Sequence, residues 1–123
     1  MKTIHTAKAP EAIGPYSQAI VHGGLLFTSG QIAINPASGQ VEADTIEGQT
    51  EQVMQNLAAL LEEAGASFDS VIKTTCFLSD MADFAAFNAI YGAYFVSKPA
   101  RSCVAAKQLP KNVLVEVELI AAV

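Results

Sequence analysis

The stretch VLVEVELIAA, Val113 to Ala122, decides the fold. Side chains of a strand alternate between two faces. Val113, Val115, Val117, Leu119 and Ala121 fall on one face, which suits packing against helices. Leu114, Glu116, Glu118, Ile120 and Ala122 fall on the other, and three of these five are apolar as well. A face with that much apolar surface is expected to be covered. The rest of the chain offers too few helices to cover both sides. The second face is therefore expected to meet another copy of the chain, with Glu116 and Glu118 near the interface, in a closed ring rather than an open filament.

Working outward, the pattern predicts two helices. Asp44 opens the first, with Glu47 as its capping-box partner. Val53, Leu57, Leu60, Leu61 and Ala64 repeat at helical spacing, and Gly65 closes it. The second begins near Ser79 or Asp80, carries Phe84, Phe87, Tyr91 and Tyr94 on one stripe, and stops before Pro99. SVIKTTCFLSD between them reads as a strand, and so does Arg101 to Lys107. YSQAIVHGGLLFTSGQI reads as a hairpin turning at Gly23-Gly24, and NPASGQ, Asn35 to Gln40, as a loop. The order is β-β-α-β-α-β-β, with room for a short strand before it. This is an α+β sheet with both helices on one face.

At 123 residues the chain is expected to be one domain, 1–123. Hydrophobic residues make up 51% and charged residues 15%, with mean hydropathy +0.33, which again asks for a buried subunit surface. A net charge of −5 and a pI near 4.8 argue against a partner of nucleic acid, which needs a basic face. No apolar run approaches the ~20 residues of a membrane span, and the N-terminus does not read as a signal peptide, so the expectation is cytoplasmic. Cys76 and Cys103 then read as free thiols. With only His5 and His22 beside them, both read as surface residues, no zinc-ligand spacing is visible.

Six words occur in order: AIGPYSQA (12–19), TSGQI (28–32), VIKTTCFLSD (71–80), FNAIYGAYF (87–95), PARSCV (99–104) and VEVELIA (115–121). Together they closely resemble the reactive intermediate deaminase family, RidA or YjgF-like, from about Lys8 to the C-terminus. The resemblance implies a chorismate-mutase-like fold, a homotrimer with clefts between subunits, and hydrolysis of 2-imino acids or their enamine tautomers to 2-keto acids and ammonia. It implies substrates released by pyridoxal-phosphate dehydratases, and neither metal nor organic cofactor in the deaminase. Carried onto this sequence, Arg101 would clamp the substrate carboxylate, with Ser102 beside it. Cys103 would act through its backbone, and Glu116 would stand by the reacting carbon or water. Tyr16, Ser29, Gly30 and Asn88 match other cleft positions. In one departure, only Val96, Ser97 and Lys98 separate Phe95 from Pro99, where most members of the family it resembles carry several more residues.

The residues leave alternatives open. A guanidinium is always charged and rarely buried without an anion, so Arg101 meets either Glu116 or Glu118 of its own chain or a carboxylate that arrives with a ligand. Glu116 could relay a proton through water or simply pair with Arg101. Cys103 shares a strand face with Arg101, yet nothing in the sequence supplies a base to ionise it. Tyr16, aimed by Pro15, could bond to ligand or serve as a plug; Asn88 could bond to backbone instead. Two further functions fit the same fold: a binding module for 2-keto acids, and a ribonuclease or translation inhibitor.

Overall fold

The computed structural model covers residues 1–123. Its elements are β1 (Lys2–Ile4), β2 (Ala19–His22), β3 (Leu25–Thr28), β4 (Ile34–Asn35), β5 (Gln40–Val41), α1 (Ile46–Glu63), β6 (Val71–Leu78), α2 (Phe84–Tyr94), β7 (Ala100–Ala105) and β8 (Val115–Ala122). Six strands form one mixed sheet in the order β1-β2-β3-β8-β6-β7, and β4-β5 form a separate small ladder. Only β6 and β7 run parallel, because α2 carries the chain back before β7 begins. No helix is long and apolar enough to cross a membrane.

Both helices lie on one face, as the alternation of the last strand requires. Val115, Val117, Leu119 and Ala121 are buried in one cluster with Val53, Met54, Leu57 and Leu61 of α1 and Phe87 and Tyr91 of α2. The opposite face is left open. There Phe27 pairs with Ile20 and Ile120, and Phe27 is exposed.

Several boundaries differ from expectation. The first helix is capped by Thr45, whose hydroxyl accepts from the Gly48 amide, and no Asp44–Glu47 capping box forms. Two neighbouring residues were both good caps, and the threonine holds the extended backbone that a cap needs. Asp80 caps a 3-10 turn, Met81–Asp83, and α2 starts only after it. Strand β7 ends at Ala105 instead of Lys107. Strand β8 begins at Val115, since a 3-10 turn at Pro110–Asn112 precedes it, with Lys111 and Asn112 at positive φ. Val113 consequently leaves the helix-facing row and joins a small cluster with Ile32, Ile34 and Leu109. The NPASGQ loop is bounded by β4 and β5, whose two-residue strands are too short to leave a sequence pattern.

Candidate functional site

The predicted site residues form two groups. The first is built on β7 and α2. Thr74 of β6 and Tyr91 of α2 share a hydrogen bond of 2.7 Å between hydroxyls, which fixes the Tyr91 ring. That ring stacks on Phe95 with centroids 4.3 Å apart. Arg101, opposite Thr74 in the ladder, lays its guanidinium 4.8 Å from the Tyr91 centroid and 5.4 Å from that of Phe84. Such contacts stabilise a cation by ~0.5–2 kcal/mol without neutralising it. Its Nη1 donates to Asn88 Oδ1 at 2.7 Å. Asn88 therefore serves the guanidinium and not the helix backbone.

Arg101 meets no carboxylate of its own chain. The ion pairs are His5–Glu11 and Lys8–Glu62, both well exposed. The expected alternatives of a bond to Glu116 or Glu118 are corrected by register. Arg101 lies opposite Thr74, on the helix face, whereas Glu116 lies opposite Phe77 and Glu118 opposite Thr75, on the open face. The sheet itself separates them.

Cys103 lies opposite buried Cys76 and so shares the helix face with Arg101. Burial pushes its thiol pKa up, and the Arg101 charge only partly opposes this. Cys76 is pushed up to about 12, chiefly by burial. Neither thiol is poised as a nucleophile. Ser102, between the two, is exposed and faces the other way. A cavity of about 430 Å³ opens at Arg101, with Asn88, Tyr91, Phe95 and Lys98 among its walls.

The second group gathers around Glu116. Gln31 pairs through its backbone with Val117, at 2.8 and 3.1 Å, which sets Gly30 against the Glu116 side chain. A Cβ on Gly30 would overlap Glu116 Oε2, so only glycine admits the carboxylate here. Ser29 donates from its hydroxyl to the Ser17 carbonyl at 2.6 Å, and its amide donates to the Gln18 carbonyl. The Tyr16 hydroxyl accepts from the Ile13 amide at 3.2 Å, which leaves its own proton for a ligand. These side chains, with Ile13 and Pro110, line a cleft of about 330 Å³. Glu116 forms no hydrogen bond or ion pair within the chain. Burial raises its pKa first, and Glu118 raises it further.

Sequence reasoning missed the supports of both groups. Buried Gln18 accepts from the Thr6 amide and donates to the Thr6, Ala9 and Pro10 carbonyls, so one amide pins the loop that carries Tyr16. Its place inside a strand-like word hides it; a glutamine leading into the apolar run Ala19 to Val21 is the available signal. Tyr91 and Phe84 read only as core, because a cation resting on a ring leaves no sequence spacing of its own. Lys98 stands in the sequence only as part of a short loop.

The family described as Endoribonuclease L-PSP matches residues 6–123. The chain is 56% identical over 124 residues to a Lactococcus lactis protein named as the regulator AldR, covering 100% of this chain and 98% of that one. It is 47% identical over 124 residues to the 2-iminobutanoate/2-iminopropanoate deaminase of Escherichia coli, covering 98% and 96%. Among solved structures, E. coli TdcF with bound serine superposes with a TM-score of 0.94 at 41% identity, covering 100% of this chain and 99% of that one.

Proposed function

We propose, for a chain that belongs to the RidA, YjgF-like family described as Endoribonuclease L-PSP, that it hydrolyses reactive 2-imino acids to 2-keto acids and ammonia at sites shared between copies of a homotrimer. One observation carries the reading. A partly buried guanidinium without a carboxylate and a partly buried carboxylate without a donor stand on opposite faces of one sheet. Each would be satisfied by the other half-site of a neighbouring copy and a small anionic substrate between them. The open row of Ile20, Phe27 and Ile120 gives the neighbour an apolar seat.

In that cleft Arg101 binds the always-anionic carboxylate with the donors that Asn88 does not occupy. Its aromatic platform fixes the plane of the fork. Glu116 of the next copy takes a proton from water as the oxygen adds to the iminium carbon. The amino group then leaves as ammonia as the carbonyl forms. A carboxylate whose pKa is raised is a stronger base once ionised and a usable acid once protonated, which suits it to both proton transfers. Cys103 acts through its main chain. Imines and enamines released by pyridoxal-phosphate dehydratases are the natural feed.

A second reading, favoured by the bound serine of E. coli TdcF, is a module that binds small amino or keto acids without turnover. The family's endoribonuclease description is harder to reconcile with a net charge of −5. The test adds the purified protein to a dehydratase reaction and follows decay of the enamine, with semicarbazide trapping the remaining imine. Unchanged decay supports the binding module. Co-expressed Arg101→Ala and Glu116→Gln chains, each strongly impaired alone, should recover about a quarter of wild-type activity, since in random mixing that share of two-copy sites is intact. No recovery in mixed trimers would refute the shared site, and a monomer by light scattering would end the scheme.

A further inference from the structure

We infer that the cavity at Arg101 accepts a second carboxylate, so that 2-imino dicarboxylic acids of four or five carbons are substrates, with Lys98 receiving the distal carboxylate. This rests on the Arg101 anchor of the proposed function and names the substrate class of that same site.

Two cations, Lys98 and Arg101, line the cavity, and no acidic residue does. Neither cation has an anionic partner in the chain, since the ion pairs involve only His5, Lys8, Glu11 and Glu62. Two like charges lining one cavity are both relieved by a dianion bound between them. In the single chain the cavity, about 430 Å³, leaves room beside Arg101 for a chain longer than three carbons. Its wall at Gly92 is open, with nothing within 4 Å of where a Cβ would stand.

The loop points the same way. Phe95 to Pro99 is spanned by Val96, Ser97 and Lys98, and Lys98 has φ 56. Glycine adopts that conformation freely, and lysine does so only under strain. Glycine would suit the local backbone better, and what lysine adds at this position is a charged side chain on the cavity wall. Arg101 then fixes the carboxylate next to the imine. Lys98, an exposed residue of the same cavity wall, selects what the other end of the substrate carries.

The experiment compares kcat/KM for 2-iminobutanoate and 2-iminoglutarate, each generated in place by an amino-acid oxidase with semicarbazide as competitor. The wild type should hydrolyse 2-iminoglutarate at least as well as 2-iminobutanoate. Lys98→Gly should lower kcat/KM for 2-iminoglutarate about five-fold, lower that for 2-iminobutanoate less, and leave Tm unreduced because φ 56 suits glycine. Turnover of 2-iminobutanoate without 2-iminoglutarate would overturn the inference and spare the proposed function. So would an unchanged ratio in Lys98→Gly. Should neither imine be hydrolysed, the proposed function fails, and calorimetry with 2-oxoglutarate and 2-oxobutanoate decides the site. Binding of 2-oxoglutarate weakened selectively by Lys98→Gly supports the dicarboxylate site; equal binding in both proteins refutes it.

Discussion

Gly30→Ala tests how closely the site depends on the position of one carboxylate. Gly30 does not occupy the left-handed backbone region, so alanine brings no backbone strain. The new methyl would stand 2.8 Å from Glu116 Cδ and 3.1 Å from Cγ. Carbon atoms in contact sit about 3.5 Å apart, so Cδ must retreat by at least ~0.7 Å. Glu116 makes no hydrogen bond that resists this, and its side chain reaches a cleft open to solvent. The displacement should therefore cost little stability, ~1 kcal/mol or less. Catalysis should suffer far more. A misplacement near 1 Å costs about 100-fold in rate, equivalent to ~2.7 kcal/mol of barrier. The assay is kcat for imine hydrolysis under semicarbazide competition, read beside a thermal melt and light scattering. An intact assembly with kcat reduced about 100-fold supports the reasoning. Wild-type kcat in Gly30→Ala would refute it, because the carboxylate could then move without consequence.

Arg101→Lys should lose one to two decades in kcat/KM, ~1.5–3 kcal/mol, since lysine keeps the charge but not the fork that bonds Asn88 at 2.7 Å; near-wild-type turnover would make Arg101 structural. Cys103→Ala should keep a substantial part of the activity, while Glu116→Gln should lose about 100-fold or more with much smaller change in inhibition by a 2-keto acid. A dead Cys103→Ala with normal melting would restore the thiol to the chemistry. The raised pKa of Glu116 also has a stability consequence of definite sign. Its folded form binds the proton more tightly than the unfolded chain, so its contribution is fully present below the ordinary value of 4.5 and is lost as pH rises through the folded value. Glu116→Gln should melt like wild type in acid and above it near neutrality; a Tm difference that does not grow with pH would contradict the burial argument.

The parts of the fold legible in sequence were those with contrast. Val53, Leu57, Leu60 and Leu61 repeat at helical spacing, and Val115 and Val117 alternate with Glu116 and Glu118, so α1 and β8 could be read with their buried faces. Strand β7 has no such contrast: Ala100, Ser102, Val104 and Ala105 are all small or apolar and exposed. Its parity relative to β8 is fixed by register through β6, which no single strand records. That is why an Arg101–Glu116 pair within one chain looked reasonable and is excluded. The site words named the residues but not the faces they occupy. The Gln18 clasp and the aromatic platform are tertiary: each joins residues whose relation exists only after the chain has closed.

Strand β7 is also the edge of the six-stranded sheet, and its outer row of amides and carbonyls has no neighbour within the chain. An unpaired edge invites addition of a strand from another molecule, and charge along or beside it is the usual guard. Here Lys98, Arg101 and Lys107 are the cations on and around that edge in a chain with only seven in total. A single folded chain therefore relies for its solubility partly on Lys98 and Arg101, the two cations proposed to meet the ligand. Substitutions that strip charge from this corner should show themselves in the yield of soluble protein as well as in turnover, and a loss of activity there is interpretable only when the aggregated fraction has been measured.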